Sequence, residues 1–167
     1  MNKIGIFYGS ATGTTSDVAR RIAKLLSVSD KDIHDVAATA PHVMGDYDVL
    51  LLGSSTWGNG ELEDDWYDFI DGAQSLDLSG KKFAVFGCGD ETMSDTFCNA
   101  VGILYDRIQP LGATLIGEFP AEGYSYDHSE ASAPGGMMRG MVLDEVNHPE
   151  LTPQRLSLWA DELKKQM

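Results

Sequence analysis

The stretch KIGIFYGSATGTT, residues 3–15, joins a run of β-forming residues to a short polar loop rich in glycine and hydroxyl groups. Lys3–Tyr8 predicts a strand, and apolar residues recur at helical spacing between Ser16 and Leu26. A strand, a glycine-containing loop and a helix in that order predict the first βα unit of an α/β domain. The free N–H groups and the positive dipole end at such a helix start suit a phosphate group.

The rest of the chain repeats this alternation of apolar runs and helical patterns, which is typical of α/β units around a parallel sheet. The further predicted strands are Asp32–Val36, Asp48–Gly53, Lys82–Gly87 and Thr114–Gly117. The further predicted helices contain Trp66, Phe69 and Ile70, then Phe97, Val101, Ile103, Leu104 and Ile108, and finally Leu156, Trp159 and Leu163. For the last helix, Thr152 is the expected N-cap and Pro153 the first helical residue.

Between residues 119 and 140 the periodicity fails, and turn-forming residues dominate. Long irregular segments inside compact domains are usually functional or disordered. Met141–Leu143 is again β-forming, so we interpret residues 119–140 as an excursion that interrupts the fifth strand. Length alone predicts one domain spanning residues 1–167.

Acidic residues outnumber basic ones by 26 to 12 among the 167 residues, so the formal net charge is −14. Such a field repels nucleic acid and anionic membranes and attracts basic protein surfaces. No apolar run approaches the ~18 residues of a membrane-spanning helix. Cys88 and Cys98 match no metal-ligand spacing. We therefore expect a cytoplasmic protein with reduced thiols, no metal site, and no nucleic-acid or membrane partner.

In open α/β sheets, ligands bind beyond the carboxyl ends of the strands, where the strand order reverses. The first loop at such an end, Gly9–Thr15, offers glycines and hydroxyl donors but no lysine or arginine. It matches neither the nucleoside-triphosphate loop nor the dinucleotide pattern. A single terminal phosphate held by neutral donors therefore suits it, and an ordinary capped loop is the alternative.

Two later strand ends carry loops of a similar kind. Gly53–Leu62 places Trp57 in a glycine-rich segment, where the indole can stack on a planar ligand or fold back over local apolar surface. Gly87–Phe97 brackets Cys88 with glycines that permit close approach of the backbone to a ligand, although Asp90 could simply cap a helix. The three loops together indicate a ligand site more specifically than any one of them.

Four stretches, KIGIFYGSATGTT, LLLGSSTWGNGELEDDW, FAVFGCGDE and NAVGIL, resemble the flavodoxin family, and the similarity runs nearly end to end. The excursion resembles the insertion of the long-chain members. The resemblance implies a three-layer, doubly wound fold with a five-stranded parallel sheet of order 2-1-3-4-5, and flavin mononucleotide (FMN) as cofactor. It places the cofactor on Ser10, Ala11, Thr12, Gly13, Thr14, Thr15, Ser55, Thr56, Trp57, Gly58, Asn59, Gly60, Cys88, Gly89, Asp90, Met93 and Thr96.

The chain departs from the family pattern at three points. Met93 stands where long-chain members usually place a tyrosine on the outer flavin face, and Thr96 stands where asparagine is common. Val146 lies in an acidic stretch where another carboxylate is expected. A thioether still packs on an aromatic face, but with less area and a different electronic character.

The resemblance implies a monomeric, low-potential one-electron carrier that works on the semiquinone/hydroquinone couple and is not an enzyme. We expect the Gly58 carbonyl to accept a hydrogen bond from N5–H of the reduced flavin after a peptide reorientation that glycine permits. Basic partners, namely flavodoxin or ferredoxin reductases and acceptor oxidoreductases, would be steered by an acidic cluster. Its members are Glu61, Glu63, Asp64, Asp65, Asp68 and Asp71.

Two other functions share this strand order. A flavin-dependent NAD(P)H quinone reductase needs a second substrate pocket, and no histidine or tyrosine falls in the flavin loops to handle protons. The four histidines, His34, His42, His128 and His148, are expected at the surface elsewhere. A phosphoacceptor receiver domain needs an aspartate at the end of the third strand, where this chain has Gly53, Ser54 and Ser55.

Overall fold

A mostly parallel sheet lies between two layers of helices in the computed structural model, which describes residues 2–167. The strands are β1 (Ile4–Gly9), β2 (Ile33–Asp35), β3 (Val49–Trp57), β4 (Glu61–Leu62), β5 (Lys82–Cys88), β6 (Thr114–Leu115), β7 (Phe119–Pro120), β8 (Met137–Met138) and β9 (Met141–Leu143). The α-helices are α1 (Thr14–Leu26), α2 (Asp65–Ala73), α3 (Asn99–Ile108) and α4 (Thr152–Gln166).

The strand order β2-β1-β3-β5-β6 confirms the predicted arrangement of the parallel sheet. The fifth position is shared by two short strands that both run parallel to β5. β6 pairs with β5 at Lys82 and Phe83, and β9 pairs with it further along, from Phe86 to Cys88. The excursion therefore leaves the sheet after β6 and returns at β9, as the sequence predicts.

The continuous apolar run of β3 is explained by the two layers. Leu50 and Leu52 face the core that includes α2 and α3, whereas Val49 and Leu51 face the core formed with α1 and α4. All four side chains are almost completely buried. A strand covered on both faces has no solvent side, so polar residues do not alternate with apolar ones.

Two helix starts differ from the prediction. Thr152 is the first residue of α4 and not its N-cap, because a 3₁₀ turn at Pro149–Leu151 runs directly into the helix. The Thr152 hydroxyl is consequently buried without a partner among the described residues. Phe97 precedes α3, which begins only at Asn99 after the left-handed Cys98.

The excursion forms a small antiparallel sheet from β7 and β8 and is held to the domain by a buried arginine. The Arg155 guanidinium donates to the carbonyls of Pro120 at 3.0 Å, Val142 at 3.1 Å and Glu122 at 3.3 Å. It also lies over the Tyr124 ring, with 4.9 Å between its Cζ and the ring centroid. Arg155 thus ties the excursion and β9 to α4. Within residues 2–167, no helix has both the length and the apolar character needed to cross a bilayer.

Candidate functional site

A cleft of about 190 Å³ opens at the carboxyl ends of the parallel strands β1 and β3. At this point the strand order reverses, because the sheet continues from β1 to β2 on one side and from β3 to β5 on the other. Four chain segments line it: Thr12, Thr14, Ser55, Thr56, Trp57, Cys88, Gly89, Asp90, Glu145 and Val146. Larger grooves exist, including one of about 830 Å³ near Lys3 and Met167. That groove lies at the opposite edge of the sheet, so the smaller cleft is the one at the expected ligand position.

The first loop presents an open helix start. Gly13 adopts a left-handed conformation with φ of +92°, and α1 begins at Thr14 without any side-chain cap. The Ser10 hydroxyl accepts a hydrogen bond from the Gly13 N–H at 3.0 Å, and the Thr15 and Ser55 hydroxyls lie 2.5 Å apart. Ala11, Thr12 and Gly13 are exposed. The first turn of the helix therefore directs uncapped N–H groups to the surface, as an anion site requires.

The second loop is the tip of a β-hairpin. β3 continues to Trp57 and β4 returns antiparallel to it, so Asn59 lies at an exposed tip closed by a hydrogen bond from Gly60 N–H to the Trp57 carbonyl at 3.0 Å. Gly58 has φ of +52° and Gly60 has φ of +93°. The Trp57 side chain remains 41% exposed beside the cleft, which leaves its ring free to stack on a ligand.

The tip of the hairpin packs against the third loop. A Cβ on Gly60 would lie 3.2 Å from the Thr96 side chain and 2.5 Å from the side-chain Nδ2 of Asn99. The Thr56 hydroxyl accepts a hydrogen bond from the Ala100 N–H at 3.0 Å at the start of α3. Thr96 and Thr56 therefore position the two loops relative to each other.

The third loop lines the cleft at Cys88, Gly89 and Asp90. Gly89 N–H donates to the Leu143 carbonyl at 2.8 Å, and Asp90 accepts hydrogen bonds from both the amide and the hydroxyl of Thr92. The Thr92 contacts lower the pKa of Asp90, so its carboxylate stays charged at the rim. Burial raises the pKa of Cys88 to about 12, so this thiol stays protonated. Met93 is 51% exposed and lies outside the cleft lining.

The excursion contacts the third loop from outside. The Ser94 carbonyl accepts hydrogen bonds from the N–H groups of residues 127 and 128, both at 2.9 Å. The Asn99 carboxamide oxygen accepts another from Glu130 N–H at 2.8 Å. Phe97 stacks on Tyr126 with ring centroids 4.8 Å apart. Residues 119–140, which have no periodic pattern, thereby brace one wall of the cleft.

Glu145 and Val146 line the cleft but are absent from the predicted site residues. Both follow β9, so the rule that directed attention to three strand ends applies equally to the fifth. Glu145 forms an ion pair with Arg21 of α1 at 2.8 Å, which offsets its charge next to the cleft. Val146 is 71% exposed at the rim.

Glu63 does not belong to the surface acidic cluster, contrary to the prediction. Its side chain is 3% exposed and points inward, where a Cβ on Gly9 would lie 2.4 Å from its Oε2. Burial, followed by the negative charge of Asp65, raises the pKa of Glu63 to about 7. The charges that remain exposed after the hairpin are Glu61, Asp64, Asp65, Asp68 and Asp71.

The prediction that all histidines lie at the surface away from the loops is wrong for two of them. His34 packs on Phe7 and shares a 2.6 Å hydrogen bond with Tyr47. His148 is half-buried and contacts Glu91 of the third loop at 2.6 Å. His42 and His128 are exposed.

A doubly wound sheet with an uncapped helix start and an exposed tryptophan at its switch point defines an α/β protein of the flavodoxin-like fold. The model of the family described as Flavodoxin matches residues 6–159. Flavodoxin 1 of Escherichia coli strain K12 is 40% identical over 164 residues, which cover 98% of this chain and 93% of that protein. The chain therefore belongs to the flavodoxin family.

Two further comparisons agree with this assignment. The flavodoxin of Picosynechococcus sp. strain PCC 7002 is 40% identical over 167 residues, covering 98% of this chain and 97% of the relative. The solved structure of the Fusobacterium nucleatum flavodoxin mutant K13G, bound to flavin mononucleotide, superposes with a TM-score of 0.91 at 30% identity. That match covers 100% of this chain and 98% of the solved one.

Proposed function

We propose that this flavodoxin carries single electrons on non-covalently bound FMN and works as a low-potential carrier in the cytoplasm. The observation that supports this most is the cleft lined by both Trp57 and Cys88–Asp90, next to the uncapped start of α1. When bound, FMN supplies the redox chemistry, because it accepts electrons one at a time. The protein supplies the binding groups and the electrostatic environment.

The residues present fit a flavin carrying one phosphate. Residues 10–15 contain no carboxylate and no cation, so neutral N–H and hydroxyl donors would hold the phosphate at the helix start. Trp57 and the backbone of Cys88–Asp90 would hold the ring. The other predicted ring contacts are Ser55, Thr56, Gly58, Asn59, Gly60, Met93 and Thr96. The buried Cys88 thiol is protonated and adds no charge beside the ring.

The charge distribution favours a low potential. Asp90 lies at the rim as a carboxylate, the phosphate adds further negative charge, and the whole chain carries −14. Each of these disfavours the addition of negative charge to a ring in a low-dielectric cleft. A penalty of about 1.4 kcal/mol shifts a one-electron potential by about 60 mV. Several such contributions together give the second one-electron reduction a strongly negative potential.

We predict that the purified protein takes up one FMN per chain and that anaerobic photoreduction proceeds through a long-lived one-electron stage. The absorbance spectrum recorded during stepwise illumination measures this directly. A quinone reductase would instead oxidise NAD(P)H in one two-electron step without accumulating that stage. A protein that stays colourless when FMN is added contradicts the proposal altogether.

We further propose that basic redox proteins dock around the cleft, guided by the exposed carboxylates at residues 61, 64, 65 and 68. Transient electron-transfer interfaces are small and polar, so association depends on long-range attraction. Asp71 contributes less to this field because it pairs with Arg107 at 2.9 Å.

We predict that electron transfer from the reduced protein to a basic cytochrome c slows by about tenfold between 50 and 500 mM salt, since screening shortens the range of attraction. Stopped-flow mixing at several salt concentrations measures the second-order rate constant. Replacing Asp64 and Asp68 by asparagine should flatten the salt dependence. The matched control replaces Asp161 and Glu162 of α4 by their amides, and an equal effect there would contradict steering by this surface.

A further inference from the structure

Glu91 links the third loop to two segments that are distant in the sequence, the excursion and the segment that follows β9. Its N–H donates to the Asp144 carboxylate at 2.9 Å, next to the end of β9. Its Oε2 accepts from the Ser125 N–H of the excursion at 2.8 Å, and its Oε1 lies 2.6 Å from His148 Nε2. The Glu91 side chain is 17% exposed. Its position is therefore set by all three neighbours at once.

His148 contacts a carboxylate with each of its ring nitrogens. Nε2 faces Glu91 at 2.6 Å, and Nδ1 faces Glu150 at 3.1 Å. A neutral imidazole carries only one N–H, so it can donate to only one of these acceptors, whereas an imidazolium donates to both. The observed geometry is thus satisfied only by the protonated ring.

The groups that face His148 are mostly acceptors. From its own segment, Glu150 faces the ring. The Asp144 carbonyl accepts a hydrogen bond from the backbone N–H of His148 at 3.1 Å. From the third loop it faces Glu91, and from the excursion it faces the Tyr124 ring, 6.0 Å away between centroids. The Tyr124 ring in turn contacts the Arg155 guanidinium, with 4.9 Å between the Arg155 Cζ and the ring centroid. The hydrogen bond to Glu91, followed by that to Glu150, raises the pKa of His148.

We propose that His148 and Glu91 form a positioning pair that holds the third loop, and with it one wall of the FMN cleft, most tightly when His148 is protonated. A neighbouring contact extends the link to the cleft lining, because Asn147 Nδ2 donates to the Asp90 carboxylate at 2.8 Å. This inference rests on the proposed binding of FMN in that cleft. Neither residue lines the cleft, so the pair acts through Asp90 and the loop backbone.

The sign of the pH dependence follows from the raised pKa of His148. A group that is more basic in the ordered state stabilises that state at low pH and loses this contribution as pH rises through its pKa. The third loop should therefore loosen, and FMN should dissociate faster, between pH 6 and pH 9. A charge-assisted contact at a partly exposed position corresponds to an effect of about threefold to tenfold.

The test is a double-mutant cycle of Glu91→Gln and His148→Gln in the FMN-loaded protein, read as the dissociation rate of FMN by the fluorescence of the released flavin. We expect the two substitutions to be coupled by about threefold to tenfold at pH 6 and to be additive at pH 9. His42→Gln, which replaces an exposed histidine, is the matched control and should show no coupling with Glu91→Gln. The cycle cancels the contribution of other titrating groups, including Glu63.

The protonation of His148 can also be measured directly, without FMN release as the readout. The NMR titration of the His148 ring should give a pKa above the ordinary value of a histidine side chain, and Glu91→Gln should lower it. A His148 pKa at the ordinary histidine value, or additive effects of the two substitutions at pH 6, would overturn the positioning pair. Failure of the parent protein to take up FMN would instead contradict the proposed function, so the two failures are distinguishable.

Discussion

Replacing Glu63 by glutamine should raise the free energy of unfolding of the flavin-free protein at pH 8 by about 2–3 kcal/mol, with little change at pH 5. Glu63 is 3% exposed, and its Oε2 accepts a hydrogen bond from the Asp65 N–H at 3.2 Å. Burial and the negative charge of Asp65 raise its pKa to about 7, well above its value in an unfolded chain. The glutamine side chain is uncharged at every pH, so the folded state does not have to bury a charge at this position.

The stability of the parent protein should depend on pH through the Glu63 carboxyl. A carboxyl with a raised pKa in the folded state stabilises that state below the unfolded pKa, and this stabilisation is lost as pH rises to about 7. Parent stability should therefore fall between about pH 4.5 and pH 7, and the Glu63→Gln variant should lack most of that fall. Urea denaturation at half-unit pH steps measures both curves. Glu61→Gln, an exposed neighbour, is the control and should leave the curve unchanged.

Replacing Gly58 by alanine should lower the yield of the one-electron-reduced flavin, because the hairpin tip could no longer reorient freely toward N5. Gly58 has φ of +52°, and a Cβ there would meet nothing nearer than the Glu61 carboxyl carbon at 4.0 Å. The substitution therefore changes backbone freedom without a steric clash. A left-handed conformation costs a residue with a side chain about 1–2 kcal/mol. The separation between the two potentials should narrow by about 60 mV or more.

Gly80→Ala is the matched control for this prediction. Gly80 has φ of +84° with nothing within 4 Å of an added Cβ, and it precedes β5, at the strand end opposite the cleft. It should lose a similar amount of stability while both potentials stay at the parent values. A redox titration followed by absorbance measures the potentials of all three proteins. An unchanged yield in Gly58→Ala would contradict the role of this peptide, and an equal change in Gly80→Ala would assign the effect to stability alone.

The site was only partly predictable from the sequence, and particular residues show why. Thr12 and Thr14, which line the cleft, were among the predicted residues because a strand, a loop and a helix follow one another in that part of the chain, so that local pattern suffices. Trp57 was found because its glycine-rich surroundings mark a strand end. Glu145 was missed because the short β9, three residues long, carries too little pattern to mark its end as part of the site.

Glu63 illustrates a different limit. It stands in a run of carboxylates that resembles a solvated helix start, yet it lies two residues before α2, where no periodicity indicates which way a side chain points. The close packing of Gly9 and Trp66 around it arises only once β1 and β3 are paired. The acidic cluster predicted from composition was therefore correct for its neighbours and wrong for Glu63.

The amino-acid sequence by itself determined the order of strands and helices, the two buried faces of β3 and the uncapped loop that begins α1, because these depend on periodicity and on residues adjacent in the chain. Only the tertiary structure decided that Glu145 enters the cleft, that the excursion braces the third loop, and that His148 meets Glu91 across 57 positions. Those contacts join segments distant in the chain, so their geometry depends on how the strands are paired and the helices packed.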